Sequence, residues 1–246
     1  MNVVVLVGIA ALNDAEAIEK FVPLIPKKFR KETIDVLVVD DGSIDSTADI
    51  AEKMGSIVLK LPPKNYLGNG RARKAALAYA IQNRYHWIIT MDGDGQHSPQ
   101  IIPKIIQKLY QGYDFVRASR FHPQPQKNHL PPGWLFWNQK ITAEINRITH
   151  WNLTDALCGM MGFSTTLAQR ILPLLECNCY GYAVEILLKL CFLFPDLKVV
   201  EVSHPAIYEG TSKLKQYQNP QFLQKRRQRF LLHLEQIKEL EKQLFF

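Results

Sequence analysis

The sequence lacks any apolar run of about 18 residues, the length that a membrane-spanning helix requires. Its longest apolar stretch, 186–194, is interrupted by Lys189. The apolar run at the amino terminus, 3–9, is too short for a secretory signal and has no cleavage site after it. We therefore expect a cytoplasmic protein that is either soluble or peripheral on the cytoplasmic membrane face.

Cysteine is scarce, and the cysteines do not follow the spacing of a common paired motif. The four cysteines include no C-x-x-C pair, and Cys177 and Cys179 have no further Cys or His at useful spacing. We therefore expect a structural or incidental role for these thiols, with a metal site at Cys177 and Cys179 as the alternative. Internal repeats are also absent, and 246 residues are long for one domain but short for two.

The charge balance is basic, with a formal net charge of +7. A basic protein suits a phosphorylated small molecule, an anionic membrane surface or nucleic acid. No nucleic-acid recognition motif accompanies the charge, so a nucleic-acid partner is not expected.

Apolar runs alternate with helical patterns along the first half of the chain. This alternation predicts an α/β fold, with a doubly wound, mostly parallel sheet and helices on both faces. Ligands of such sheets bind beyond the carboxyl ends of the strands. The predicted strands of this half are 3–9, 34–39, 56–59, 86–91 and 115–119.

Two acidic motifs follow predicted strands. Asp92 and Asp94 lie on a glycine-rich turn, and carboxylates on such a turn suit Mg²⁺ or Mn²⁺ bound together with phosphate oxygens. Asp40 and Asp41 are placed to accept hydrogen bonds from a nucleobase or ribose. The alternatives are a solvated turn for the first motif and a helix cap for the second.

Two positions offer cations for phosphate binding. Arg71, Arg73 and Lys74 open a predicted helix, where backbone N–H groups also attract anions, and surface charge on an amphipathic helix is the alternative. Arg120 follows the strand at 115–119 and so lies at the same edge of the sheet as the acidic motifs.

Four motifs together resemble those of family 2 inverting glycosyltransferases, specifically the dolichyl- or polyprenyl-phosphate sugar synthase branch. They are Val38-Val39-Asp40-Asp41-Gly42-Ser43, Asp92-Gly93-Asp94-Gly95-Gln96-His97, Ala118-Ser119-Arg120-Phe121 and Gly210-Thr211-Ser212-Lys213. The resemblance covers about residues 3–214. It implies a GT-A fold and metal-dependent transfer of a hexose, with inversion, from a UDP- or GDP-sugar to a polyprenyl phosphate.

The resemblance also implies roles for individual residues. Asp92, Asp94 and Gln96 match metal-contacting positions, and Mg²⁺ or Mn²⁺ is the expected cofactor. Asp94, Glu185 and Asp155 are the candidate catalytic residues. The predicted nucleotide-sugar site comprises Leu12, Asp14, Asp40, Asp41, Arg71, Asp92, Gly93, Gln96, Arg120 and Lys213.

Departures from the family's pattern concern the acceptor. Met161 and Ile207 stand where many members carry arginine, so two cations that would meet a lipid phosphate are missing. A hydroxyl acceptor on a saccharide or protein would instead require a carboxylate base, Glu185 or Asp155. A catalytically weak relative that binds a nucleotide-sugar or a partner protein is a further alternative.

We predict a glycosyltransferase domain over 1–214, with a donor half at 1–121 and an acceptor half at 134–214. The segment 215–246 is predicted to be a basic amphipathic helix. Its basic cluster lies at 225–229, and its apolar stripe comprises Phe230, Leu234, Ile237, Leu240 and Leu244. Such a helix suits contact with an anionic membrane over 220–246, with the domain itself, or with another subunit.

Overall fold

The computed structural model describes residues 4–65, 68–122, 133–208 and 219–245, in which strands and helices alternate. The strands are β1 (Val4–Ala11), β2 (Lys28–Phe29), β3 (Glu32–Asp40), β4 (Ile57–Lys60), β5 (Trp87–Asp92), β6 (Phe115–Ser119), β7 (Met161–Ser164) and β8 (Val199–Ser203). The helices are α1 (Ala15–Phe21), α2 (Thr47–Lys53), α3 (Gly70–Gln82), α4 (Ile102–Tyr110), α5 (Trp134–Thr149), α6 (Thr165–Ile171), α7 (Tyr182–Leu193) and α8 (Pro220–Phe245). Short 3-10 helices cover Val22–Leu24, Pro99–Ile101 and Leu172–Leu174.

The eight strands form one sheet in the order β2-β3-β1-β5-β7-β6-β8, with β4 also paired to β3. The pairs β1–β3, β1–β5, β3–β4 and β6–β8 are parallel, whereas β2 and β7 run antiparallel to their neighbours. The runs in β1 and β3 are apolar on both faces because helices cover both sides of a parallel sheet. The predicted α/β fold is confirmed.

Successive residues of β1 point to opposite faces of the sheet, as the strand geometry requires. Leu6 joins a core with α3, α5 and α7 on one face. Val5 and Val7 join a second core with α1 and α4 on the other face. Helices therefore cover both faces, and the sheet is buried between them.

The short strand β7 was not predicted. It has only four residues and contains Gly162, whose missing side chain leaves room for Ile105 of α4. Such a run has no detectable alternation, so its place between β5 and β6 comes from tertiary packing. The strand predicted at 56–59 lies one residue later, at Ile57–Lys60.

Helix α8 packs back onto the domain, against α5 and α7. The predicted apolar stripe is confirmed, because Phe230, Ile237 and Leu240 are buried, and Leu234 and Leu244 pack partly buried against the same core. Within the described ranges, no helix is long and apolar enough to cross a membrane.

The buried face of α8 predicts a stability contrast between two adjacent residues. Ile237→Ala removes a fully packed side chain and should lower the free energy of unfolding by about 2–4 kcal/mol. Lys238→Ala, at the exposed neighbouring position, should change it by less than about 0.5 kcal/mol. Urea denaturation measures both values, and equal effects would contradict the docking of α8.

Candidate active site

The carboxyl ends of six strands, β1, β3, β4, β5, β6 and β8, meet at one edge of the sheet. The register pairs Ala11 with Asp40 and Ala10 with Asp92, so β1, β3 and β5 end level with one another. Strands β6 and β8 run in the same direction, because β6 is separated from β5 only by the antiparallel β7. Both acidic motifs and Arg120 therefore reach the same edge.

A cavity of about 460 Å³ opens at this edge. It is lined by the predicted residues Leu12, Asp14, Asp41, Asp92, Gly93, Asp94, Gln96 and Arg120. It is also lined by residues outside the predicted site, among them Asn69, Arg73, His97, Trp134, Leu157, Tyr180, Tyr182, Arg226, Arg229, Phe230 and His233. A second depression, of about 670 Å³ between α4 and β8, contains none of the predicted site residues.

The turn from Asp92 to Gln96 brings two carboxylates to the cavity. Gly93 is required here, since a Cβ at this position would lie 2.8 Å from the Cβ of Ala11. Asp94 is 7% exposed, and its Oδ1 accepts a hydrogen bond from the backbone N of Gln96 at 3.0 Å. The turn thus holds Asp94 against the end of β1.

Asp92 is held by a polar network that the sequence pattern does not reveal. The Arg73 guanidinium and the Asn69 side-chain amide each donate to Asp92 Oδ1 at 2.5 Å. Arg73 is 3% exposed and also donates to Thr90 Oγ1 and to the carbonyl of Gly159. Arg73 therefore joins α3, β5 and the segment before β7 around one carboxylate.

Two buried histidines support the same turn. His97 Nδ1 accepts from the backbone N of Asp92 at 2.9 Å, and His204 Nε2 accepts from the backbone N of Ser98 at 2.9 Å. Burial lowers the pKa of His97, although the charges of Asp92 and Asp94 oppose the shift. Burial, together with the neighbouring His97 and Arg120, lowers the pKa of His204 to about 3. Both rings are therefore neutral at pH 7.

The chemistry of this turn fits a hard divalent cation. Mg²⁺ and Mn²⁺ are commonly held by one or two carboxylates, with the remaining positions filled by phosphate oxygens and water. Asp92 and Asp94 provide such carboxylates at the cavity. The described part of the chain contains no cluster of three or more His, Cys, Asp or Glu that would hold a metal without a ligand's help.

The two residues of the second acidic motif, Asp40 and Asp41, have different contacts. Asp41 lines the cavity and is ion-paired with Arg71, whose Nη2 lies 2.7 Å from Asp41 Oδ1, and with Lys64. Asp40 Oδ1 instead accepts from the backbone N of Ser43 at 2.9 Å and does not line the cavity. Arg71 does not line the cavity, but its ion pair orients the Asp41 side chain.

Arg120 and Asp155 form a buried ion pair in which the guanidinium contacts both carboxylate oxygens. Arg120 donates to the two oxygens of Asp155 at 2.6 and 2.8 Å, and to the hydroxyl of Tyr208 at 2.9 Å. Asn138 donates to the same carboxylate at 2.8 Å. Burial opposes ionisation, but the Arg120 charge and these hydrogen bonds hold the pKa of Asp155 below its usual value. Asp155 therefore holds Arg120 in place and is a poor proton acceptor.

Glu185 lies in the first turn of α7 and outside the cavity lining. It is 2% exposed, and its carboxylate accepts from the backbone N of Glu176 and of Cys177 at 2.8 and 2.9 Å. Lys189 pairs with it at 2.9 Å. These contacts anchor the segment that carries Tyr180.

Lys213 and the predicted motif at 210–213 lie outside the described residues, and their roles stay predictions. Three aromatic side chains of the cavity were not predicted: Trp134, Tyr180 and Tyr182. Trp134 and Tyr182 are the first residues of α5 and α7, and Tyr180 lies just before α7, so the packing of these helices brings the three rings to the cavity. Arg226 and Arg229 belong to the predicted basic cluster, but only the fold shows that α8 brings them to the cavity.

Comparison with known proteins agrees with this geometry. The family model described as glycosyl transferase family 2 matches residues 6–172. An uncharacterized protein of Methanocaldococcus jannaschii is 30% identical over 188 residues, which cover 75% of this chain and 74% of that protein. The undecaprenyl-phosphate mannosyltransferase of Micrococcus luteus is 28% identical over 188 residues, covering 73% and 75%. The undecaprenyl-phosphate 4-deoxy-4-formamido-L-arabinose transferase of Pseudomonas aeruginosa is 28% identical over 147 residues, covering 58% and 41%.

Solved structures share the fold. Glucosyl-3-phosphoglycerate synthase of Mycobacterium tuberculosis, in complex with Mn²⁺, UDP and glucosyl-3-phosphoglycerate, has a TM-score of 0.62 at 18% identity, covering 83% of this chain and 71% of that one. The same enzyme with Mg²⁺ and UDP has a TM-score of 0.62 at 19% identity, covering 83% and 70%. These similarities confirm the GT-A fold expected from the sequence.

The neutral, buried His204 predicts an acid-sensitive stability. Its pKa is about 3 in the folded protein, below the ~6.5 of an unfolded chain, so the unfolded state binds more protons between these values. Stability is therefore present above pH 6.5 and lost as the pH falls towards 3. Between pH 7 and pH 5, His204 should lower the free energy of unfolding of the wild type by about 2 kcal/mol. His204→Gln, which still offers an acceptor to Ser98, should lack this part of the decrease.

Urea unfolding at the two pH values measures this difference. His86→Gln, at an exposed histidine, is the control and should leave the pH dependence as in the wild type. An unchanged pH dependence in His204→Gln would show that His204 is not held neutral.

Proposed function

The chain belongs to glycosyl transferase family 2 and is a glycosyltransferase, and we propose that it moves a hexose from a UDP- or GDP-sugar to a polyprenyl phosphate, with inversion and with Mg²⁺ or Mn²⁺. The observation that carries this proposal is the pair Asp92 and Asp94, which face one cavity together with Asp41 at the carboxyl edge of the sheet.

The donor would bind across this edge. Asp41, which is ion-paired with Arg71, would accept hydrogen bonds from the nucleobase or ribose. Asp92 and Asp94 would hold the cation, which when bound neutralises charge on the diphosphate of the leaving nucleotide. The mycobacterial enzyme of similar fold was solved with Mn²⁺ or Mg²⁺ together with UDP, which supports this assignment. Lys213 remains a candidate for a further diphosphate contact.

The contacts of the two candidate bases bear on the identity of the acceptor. A hydroxyl acceptor needs a carboxylate that removes its proton, and Glu185 and Asp155 were the candidates. Glu185 is occupied by two backbone N–H groups and Lys189, and Asp155 by Arg120 and Asn138. A phosphate acceptor is already anionic at neutral pH and needs no base. We therefore favour a phosphate over a hydroxyl.

Relatives support a lipid phosphate. Two of the similar curated proteins are named as undecaprenyl-phosphate sugar transferases, and one of them aligns over three quarters of its length. A lipid acceptor places the enzyme at a membrane surface. The exposed side of α8 offers Lys225 and Arg227 beside Leu231 and Leu232, a combination that suits peripheral contact with an anionic bilayer.

The metal site predicts a loss of nucleotide binding in one variant. Asp94→Asn should weaken binding of UDP or GDP in the presence of Mn²⁺ by at least about tenfold, because a neutral amide is a weaker cation ligand. Isothermal titration with each nucleotide, in Mn²⁺ and in chelator, measures the effect. Asp49→Asn, at an exposed acid of α2, is the control and should bind as the wild type does. Equal affinity in Mn²⁺ and in chelator would contradict metal-assisted donor binding.

The acceptor argument predicts the effect of Glu185→Gln. Loss of a general base slows a reaction by about 10²–10⁴-fold. If Glu185 is structural, the transfer rate per folded molecule should change less than about threefold, whereas breaking the buried pair with Lys189 should cost about 3–5 kcal/mol of stability.

Glu176→Gln is the matched control, since Glu176 contacts the same Lys189 but is 87% exposed. It should leave both the rate and the stability close to the wild type. A hundredfold slower reaction in well-folded Glu185→Gln would restore Glu185 as the base and favour a hydroxyl acceptor.

A further inference from the structure

Helix α8 contributes part of the cavity wall, although it lies outside residues 6–172, which match the family. Arg226, Arg229, Phe230 and His233 all line the cavity. Their spacing of three, four and seven residues places them on one face of the helix. Lys225 and Arg227 project away from this face and are exposed.

Both arginines of this face lie against aromatic rings. The Arg226 guanidinium carbon is 3.4 Å from the centroid of Trp134, and that of Arg229 is 4.2 Å from the centroid of Tyr180. Trp134 is buried and packs against Phe230, with ring centroids 5.4 Å apart. A guanidinium that packs over an aromatic ring has a defined position, and arginine is the side chain best suited to phosphate recognition.

The charges of the cavity are segregated. Asp92 and Asp94 lie at the end of the sheet, whereas Arg226 and Arg229 approach from α8. Both guanidinium groups of α8 line the cavity beside the apolar surfaces of Trp134 and Phe230. Two positive charges next to an apolar surface favour an anion that carries an apolar tail.

We propose that Arg226 and Arg229 form an anion subsite for the phosphate of an apolar monoester, the acceptor lipid phosphate. This inference rests on the proposed function. It also accounts for the missing family cations, because Met161 is fully buried in β7 and neither Met161 nor Ile207 lines the cavity. The two charges are supplied from α8 instead, and bidentate arginine contacts suit a phosphate group.

The test compares two double variants that each remove two positive charges. Arg226→Gln/Arg229→Gln changes the cavity face of α8, and Lys225→Gln/Arg227→Gln changes its exposed side. Farnesyl phosphate, inorganic phosphate and farnesol are titrated calorimetrically at moderate salt. The cavity-face variant should bind farnesyl phosphate at least about tenfold more weakly than the wild type. The exposed-side variant should stay within about twofold of the wild type.

Farnesol and inorganic phosphate should bind the wild type much more weakly than farnesyl phosphate. Equal losses in the two double variants would overturn the subsite, as would a wild-type protein that ignores farnesyl phosphate. Inorganic phosphate that binds as tightly as the ester would overturn the lipid assignment. UDP binding in Mn²⁺ is the separate readout for the donor site and should be unchanged in both variants. If the wild type does not bind UDP in Mn²⁺, the proposed function is contradicted, whereas the anion subsite is not.

Discussion

The ion pair between Arg73 and Asp92 is the interaction on which the site depends. It joins α3 to the end of β5, and the same guanidinium holds the carbonyl of Gly159. A Cβ at residue 159 would collide with Arg73 and lie 2.7 Å from Asp92 Oδ2, so a glycine is needed for the approach. Because Arg73 is buried and removal of Asp92 would leave its charge without this partner, the orientation of Asp92 is linked to the stability of the fold.

A second constraint is that most charged groups around the cavity already have partners. Arg120 is fixed by Asp155, and Asp41 by Arg71. These pairs preorganise the surface before a ligand arrives, which lowers the entropic cost of ordering side chains on binding. They also limit the available chemistry, because neither Asp155 nor Glu185 retains a carboxylate suited to proton removal. The proposed phosphate acceptor is consistent with these contacts, because a phosphate needs no proton removed before transfer.

Much of this arrangement could be predicted from local sequence. The buried strands and the two acidic motifs were identified because strand ends and short motifs are local features, and the parallel sheet then brings them to one edge. The roles of Glu185 and of His204 were not predictable, since their partners, Cys177 and Ser98, come from packing between distant segments. The basic cluster of α8 was visible, but which of its arginines face the cavity depends on how the helix docks.

The most direct test of the account is transfer itself. Purified protein is incubated with Mn²⁺, radiolabelled UDP- and GDP-hexoses, and vesicles that contain either undecaprenyl phosphate or undecaprenol. The account predicts that label from one of the donors enters the lipid phase only with undecaprenyl phosphate and only when the cation is present. Label on undecaprenol, or transfer that persists in excess chelator, would contradict it.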